Sequence, residues 1–372
     1  MKVAIIHDWL TTWAGAEKAL AELLGCFPDA EIFTTVNFLD QSNIPALQGR
    51  VIHTSFIQRM PFARTRYRHY LPLMPLAVEQ FDLKGFDLIL SSSHAVAKGV
   101  ISDPNAVHIC YCYSPMRYAW DMQHQYLRQA GKEKGLVSWV MRWQLHRLRQ
   151  WDYLSAQRVD HFVGISSYIQ RRIYTCYRRE ADVVFPPVEV DKFQHDRPRE
   201  GFYLTASRMV PYKRIDLVIE AFNHMPDKQL VVIGDGPDHT KLAALAGPNV
   251  TLLGYQPDDV LIDHLERTRA FIFMAEEDFG ILPVEAQAAG APVIGYGVGG
   301  LAETTLNNIT ALWAKEQTRT ELVARVHEFE QRKKQDANAF APKICRQSAE
   351  RFATANFTRA ILSLIAKHVP GA

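Results

Sequence analysis

The sequence is poor in the features that mark a secreted, membrane-spanning or nucleic-acid-binding chain. Cysteine is scarce. Five residues, an odd number without the spacing of a disulfide framework, read as buried thiols in a reducing compartment. Cys110 and Cys112 lie two apart on an expected strand and so share a face. Zinc sites favour C-x-x-C and need further ligands, so no metal is expected. Apolar runs fall far short of the roughly 20 residues of a spanning helix. The opening stretch MKVAIIHDWL carries Asp8 where a secretion signal needs an unbroken apolar core, so a cytoplasmic location is expected. The net charge is only +2 and no recognition motif appears, which argues against nucleic acid as a partner. What is present is an ordinary globular composition, 48% hydrophobic and 22% charged, over 372 residues, enough for two domains.

The small positive charge is uneven. Residues 1–190 hold 21 Lys and Arg against 17 Asp and Glu, and the remainder holds 21 against 23. One stretch, FIQRMPFARTRYRHYLPLMPLAV, carries Arg59, Arg64, Arg66 and Arg68 among Phe, Tyr, Met and Leu, with no acid. Such a mixture suits an anionic lipid surface. It equally suits a solvated basic loop beside a buried helix.

Short apolar runs alternate with amphipathic ones. KVAII, EIFTTV, FDLILSSS, AVHICYCY, HFVGIS and ADVVF read as strands, with AGAEKALAELL, a long Trp- and Arg-rich stretch near 134–157, and SYIQRRIYTCY as helices. Pro186-Pro187 and the charged segment through KFQHDRPREG read as a linker. The alternation then restarts with GFYLTA, QLVVIG, NVTLLG, AFIFMA and PVIGY as strands, and the tail from Thr320 is mostly helical. Two runs of alternating strand and helix predict an α/β protein of two Rossmann-like, doubly wound domains, 1–190 and 191–355, facing a central cleft. The last helix, about 356–372, is expected to pack back on the first domain.

Chemistry-bearing residues gather at the expected strand ends. Ala14-Gly15-Ala16 precedes a helix, where small residues let a phosphate approach backbone N–H groups; tight helix-on-strand packing explains them as well. After GFYLTA, Arg208 and Lys213 flank Pro211. Lys213 is expected in the first turn of a helix, against the dipole, which points to an anion such as a diphosphate; the alternative is a surface pair that meets solvent or a carboxylate. Gly234 and Gly236 in VVIGDGPDH read as a tight strand-to-helix connection. In EEDFGILPVEAQAAGAPVIGYGVGG, Glu277 lies on a loop. Pro283 suits the first helical position, which puts Glu285 in the first turn and Gly290 at the cap. Two carboxylates so placed can accept hydrogen bonds from vicinal sugar hydroxyls at opposite ends of one ligand.

These residues resemble the retaining glycosyltransferases of family 4, with the GT-B fold. The family pattern of Glu, seven residues and a second Glu appears as Glu277-DFGILPV-Glu285, followed by AQAAGAPVI. Also present are the Arg208 and Lys213 clamp, the GDGP turn, the turn Gly254-Tyr255 and GVGGLAE. SSSHAVAKGV and CYSPMRYAWD are similar to a narrower group, the bacterial O-antigen and exopolysaccharide mannosyltransferases. The resemblance implies that Glu285 binds the donor's ribose and that Glu277 contacts the donor sugar. It implies that Arg208 and Lys213 stabilise the leaving diphosphate without a metal, and that Gly15, beside Ala14, offers a backbone N–H to the phosphates. Phe279, Gly280 and Ile281 would supply backbone contacts. The implied donor is a sugar nucleotide, GDP-mannose by subgroup, with no separate cofactor. The implied acceptor is a glycan on a polyprenyl diphosphate at the inner face of the membrane, met through the four arginines.

Two departures from the family pattern stand out. Ala14-Gly15 replaces a Gly pair, and Tyr113 stands where relatives carry a histidine near the transferred sugar. Tyr113 is expected to keep a hydrogen bond to the sugar, His94 to meet the acceptor and His108 to be buried structure. Two rival functions share the motifs: a sugar-nucleotide epimerase of the same fold, and a non-catalytic sugar-nucleotide-binding subunit.

Overall fold

The structure, a computed structural model, describes residues 1–129 and 131–369. It divides into two compact units, Met1–Pro187 joined by the chain from Phe357, and Val188–Asn356.

The first unit is built on a parallel sheet of β1 (Val3–His7), β2 (Glu31–Thr34), β3 (Ile52–Thr54), β4 (Leu88–Ser93), β5 (Val107–Cys112), β6 (His161–Gly164) and β7 (Ala181–Val183), in the order β3-β2-β1-β4-β5-β6-β7. β1, VAIIH, is buried at all five positions, as expected of a parallel strand covered by helices on both faces. The second unit's parallel sheet contains β8 (Phe202–Ala206), β9 (Gln229–Ile233), β10 (Val250–Gly254), β11 (Phe271–Phe273), β12 (Val293–Tyr296) and β13 (Ala311–Ala314), in the order β10-β9-β8-β11-β12-β13. In both sheets the order reverses at one place, between β1 and β4 and between β8 and β11. Crossovers leave these neighbouring strands in opposite directions, so their carboxyl ends open a crevice where α/β sheets bind ligands.

The α/β architecture agrees with the sequence reading, and several boundaries differ. β3 and β13 were not expected; each is only three or four residues long, too short for a periodicity signal. The units part at Pro187, three residues before the expected boundary. The expected linker is folded rather than free: Val190 and Phe193 are buried, and Arg346 Nη1 donates to both their carbonyls, at 2.5 and 3.2 Å. The last helix, Thr354–His368, packs on the first unit from Phe357 onward, with Phe357 edge-on to Tyr111 at 5.6 Å and His368 3.6 Å from His161. Pro370, Gly371 and Ala372 of the expected helix lie outside the described residues. Of the cysteines, Cys110, Cys112 and Cys345 are buried, whereas Cys26 and Cys176 are only partly so.

The basic stretch forms four short helical turns, Phe56–Arg59, Ala63–Arg66, Tyr67–Leu73 and Met74–Val78. Ile57, Ala63, Tyr67 and Met74 anchor it in the core, while Arg59, Arg64, Arg66 and Arg68 are exposed.

Candidate active site

At the reversal point of the second sheet, the loops after β8 and β11 bring two charges together. The Lys213 ammonium contacts Glu277 Oε1, both side chains being largely buried. Arg208, on the same loop as Lys213, is exposed, and its guanidinium has no hydrogen-bond or ion-pair partner among the described residues. Lys213 does not open a helix as expected. It closes the short turn Pro211–Lys213, and Arg214 in the left-handed conformation (φ 57°) separates it from the helix Ile215–Asn223. Lys213 therefore does not oppose a helix dipole, and its placement implies no anion on that ground. What remains is a cation held at a strand end by a carboxylate that a ligand could displace.

The helix bearing Glu285 begins two residues earlier than expected, at Ile281, because Gly280 takes a left-handed φ of 83° that lets the chain turn directly into it. Glu285 is thus its fifth residue, buried, with Lys192 Nζ 3.7 Å from Oε1. Lys192 escaped the sequence reading because it sits in the expected linker. Gly290 (φ 76°) follows the helix end as expected. The Phe279 ring is core, edge-on to Phe352 at 5.4 Å, so only its backbone is left for a ligand. Ile281 is partly exposed. Gly254 is left-handed (φ 68°), and Tyr255 beside it is 78% exposed.

The glycine loops act on the charged loops through backbone contact. Gly300 N donates to Glu277 O at 2.7 Å, and Glu277 pairs with Gly299 in an isolated parallel bridge. A Cβ on Gly299 would collide with the Glu277 carbonyl, and one on Gly300 with that of Phe279. On the other side, Met209 N donates to Asp235 O at 2.9 Å, and a Cβ on Gly234 would strike the Ser207 carbonyl. GDGP is therefore more than a tight connection. It braces the loop that carries Arg208, as GVGG braces the loop that carries Glu277.

The reversal point of the first sheet holds a polar chain that the sequence reading missed. Register pairs His7 on β1 with Ser92 on β4. The Tyr113 hydroxyl donates to the Ala16 carbonyl at 2.9 Å, which has no proton to return. Ser92 Oγ must then donate to Tyr113 (2.9 Å), and His7 Nδ1 must donate to Ser92 (3.0 Å). His7 Nε2 is left facing Glu17 Oε1 at 3.5 Å, and Glu17 Oε2 accepts from Ala14 N at 2.9 Å. Burial pushes the Glu17 carboxyl up, but His7 and the backbone donors outweigh it and hold it below the usual range. Burial also raises the Tyr113 phenol. The expected Tyr113 hydrogen bond to sugar thus meets a hydroxyl whose one proton is already placed on the helix Gly15–Cys26. Ala14 and Gly15 are the cap and first residue of that helix.

Asp8, fully buried beside His7, accepts the backbone N–H groups of His94, Ala95, Val96 and Ala97 at 2.6–3.0 Å. His94 Nδ1 lies 3.0 Å from Asp8 Oδ2, and its ring is edge-on to Trp9. Burial opposes both charges, yet their mutual attraction and the hydrogen bonds prevail, holding Asp8 well below the usual carboxylate range and His94 above the usual imidazole one. Further along, the buried Lys98 ammonium contacts Asp152, which also accepts from Trp120 Nε1 (2.7 Å) and the Tyr177 hydroxyl (2.8 Å). Much of SSSHAVAKGV is thus structural. His108 is fully buried as expected, bonded through Nε2 to Ser91 Oγ at 2.8 Å, with burial pushing it down to about 4.

Parts of the chain are similar to known glycosyltransferases. Residues 188–343 match the family described as glycosyl transferases group 1. The chain is 31% identical over 184 residues to a GDP-mannose-dependent alpha-(1-6)-phosphatidylinositol monomannoside mannosyltransferase of Mycobacterium tuberculosis, covering 41% of this chain and 48% of that one. It is 33% identical over 153 residues to a D-inositol 3-phosphate glycosyltransferase of a Mycobacterium species, covering 35% and 34%. The chain thus spans about half or less of the length of these relatives. Among solved structures, HepE of Anabaena in complex with UDP superposes with a TM-score of 0.72 at 14% identity, covering 99% of this chain and 100% of that one. WaaG, a glycosyltransferase involved in lipopolysaccharide biosynthesis, gives 0.67 at 14%, with both chains fully covered. The second unit thus matches the group 1 glycosyl transferase family over most of its length, and the chain takes the GT-B fold of these solved glycosyltransferases.

Proposed function

We propose that the chain transfers mannose from GDP-mannose, with retention of the anomer, to a glycan on a polyprenyl diphosphate in bacterial surface polysaccharide synthesis. The observation that carries this reading is the Lys213–Glu277 contact beside the exposed Arg208. It puts a cationic pair suited to a diphosphate next to a carboxylate suited to sugar hydroxyls. The GDP-mannose dependence of the Mycobacterium tuberculosis relative supports the donor.

In this reading Arg208 and Lys213 take the diphosphate, and Glu277, released from Lys213, accepts hydrogen bonds from the hexose. Glu285, oriented by Lys192, accepts those of the ribose. The anomeric C–O bond breaks with its electron pair passing to the diphosphate oxygen, whose charge the two cations neutralise in place of a metal. The acceptor hydroxyl bonds to the anomeric carbon on the same face, and its proton passes to the departing phosphate. The His7–Ser92–Tyr113 chain positions the start of the helix Gly15–Cys26. The first unit serves the acceptor and the arginines at 59, 64, 66 and 68 meet the inner face of the membrane; no helix among the described residues is long and apolar enough to cross one.

The test is product analysis with GDP-mannose and a synthetic polyprenyl-diphosphate sugar. Extension of the acceptor by one α-linked hexose is expected. An epimerised donor would assign the fold-related epimerase activity, and binding without turnover a regulatory subunit.

A further inference from the structure

The helix Leu136–Ala156 presents an apolar stripe to solvent rather than to the core. Leu136, Trp139, Val140 and Trp143 recur at i, i+3, i+4 and i+7, the spacing that puts side chains on one helix face. They are 86%, 67%, 44% and 51% exposed. The opposite face supplies the buried positions, Ser138, Leu148, Asp152 and Ser155. A soluble domain ordinarily turns such a stripe inward, and a contiguous exposed apolar patch marks a contact surface.

The charges beside the stripe say what covers it. Lys132 and Lys134 precede the helix with Glu133 between them, Arg142, Arg147 and Arg149 lie along it, and no Asp or Glu occurs from Lys134 through Trp151. Arg147 extends along the stripe and lies 5.6 Å from the Trp143 ring. A second copy docked symmetrically on this face would oppose like charges along the helix, with Glu133 the one acid in sequence from Lys132 through Trp151 to set against the five cations. A bilayer satisfies both halves of the pattern: indole rings settle at the headgroup level, and Lys and Arg meet anionic lipid.

We propose that the amino-terminal half of the helix Leu136–Ala156 docks on an anionic membrane surface, with Trp139 and Trp143 as its anchors. The inference shares the membrane location with the proposed function and uses none of its chemistry. It adds a docking element distinct from the arginine stretch at 59–68.

The test is sedimentation of the full chain with phosphatidylcholine vesicles, with and without one-third phosphatidylglycerol. The wild type is expected to pellet with the anionic vesicles only. Trp139→Glu with Trp143→Glu, at exposed sites that leave the melting temperature in place, should weaken pelleting about tenfold or more. Leu136→Ser with Val140→Ser should weaken it as well, which separates lost contact from any local effect of the new charges. Pelleting of the double Trp variant like wild type, equal pelleting with neutral vesicles, or no pelleting at all would overturn the proposal. So would a wild-type dimer that the Trp variant converts to monomer in sedimentation velocity, since that assigns the face to a second copy. A chain that binds vesicles through Trp139 and transfers no sugar would sink the proposed function and leave this inference standing.

Discussion

Lys213 and Glu277 hold one another at the carboxyl ends of β8 and β11, the two strands between which the second sheet reverses. A ligand with a diphosphate and a hydroxylated ring must part them, because each prefers a different end of it. Glu277→Gln frees Lys213 and leaves a neutral amide oxygen, a weaker acceptor, where the proposed function needs a carboxylate for the sugar. It should therefore lower turnover about a hundredfold while binding of the bare nucleoside diphosphate is kept or tightened. Lys213→Ala should lose both. Titration calorimetry and initial rates on the two variants check this contrast, and parallel losses of nucleotide binding in both would contradict it.

Tyr113 gives its proton to Ala16 and accepts that of Ser92. Tyr113→Phe should cost about 1 kcal/mol of stability and leave turnover within about tenfold of wild type, because the hydroxyl acts through the helix start. A much larger loss of turnover with an unchanged melting temperature would return the hydroxyl to the sugar.

Asp8 accepts four backbone N–H groups from the turn after β4. In Asp8→Asn an amide NH₂ would face two of those donors, so a loss of about 3 kcal/mol is expected in chemical denaturation. His94 answers to pH. Its folded value is raised, so its contribution to stability is complete below about pH 6.5 and fades as pH rises through the raised folded value. The penalty of His94→Gln should accordingly be larger at pH 6 than at pH 9. A pH-independent penalty would show that the ring acts by packing alone.

Gly299 has φ +69° and no room for a Cβ against the Glu277 carbonyl. Gly299→Ala should displace the Glu277 loop, lowering both turnover and the stability of the second unit, the latter by about 2 kcal/mol or more. Wild-type rates in a folded Gly299→Ala protein would show that the loop's position is not critical.

All strands of both sheets except β3 and β13 were legible, because parallel strands covered on both faces are continuous apolar runs. Glu277, Arg208 and Lys213 were legible as a spaced motif. His7, Asp8, Glu17 and Ser92 were not. Their meeting depends on the register of β1 against β4, 85 positions apart for His7 and Ser92, and local spacing carries no trace of it. The start of the helix at Ile281 was misplaced because Pro283 suggested a first helical position, whereas the conformational freedom of Gly280 decided it. Lys192 was overlooked because a charged segment after two prolines resembles a linker until Arg346 is seen to hold it.

The decisive measurement is calorimetric titration with GDP, UDP and ADP, each alone and without added metal. GDP is expected to bind most tightly, and Lys213→Ala to remove the binding. Preference for UDP would contradict the donor, and no binding of any of the three would contradict the site itself.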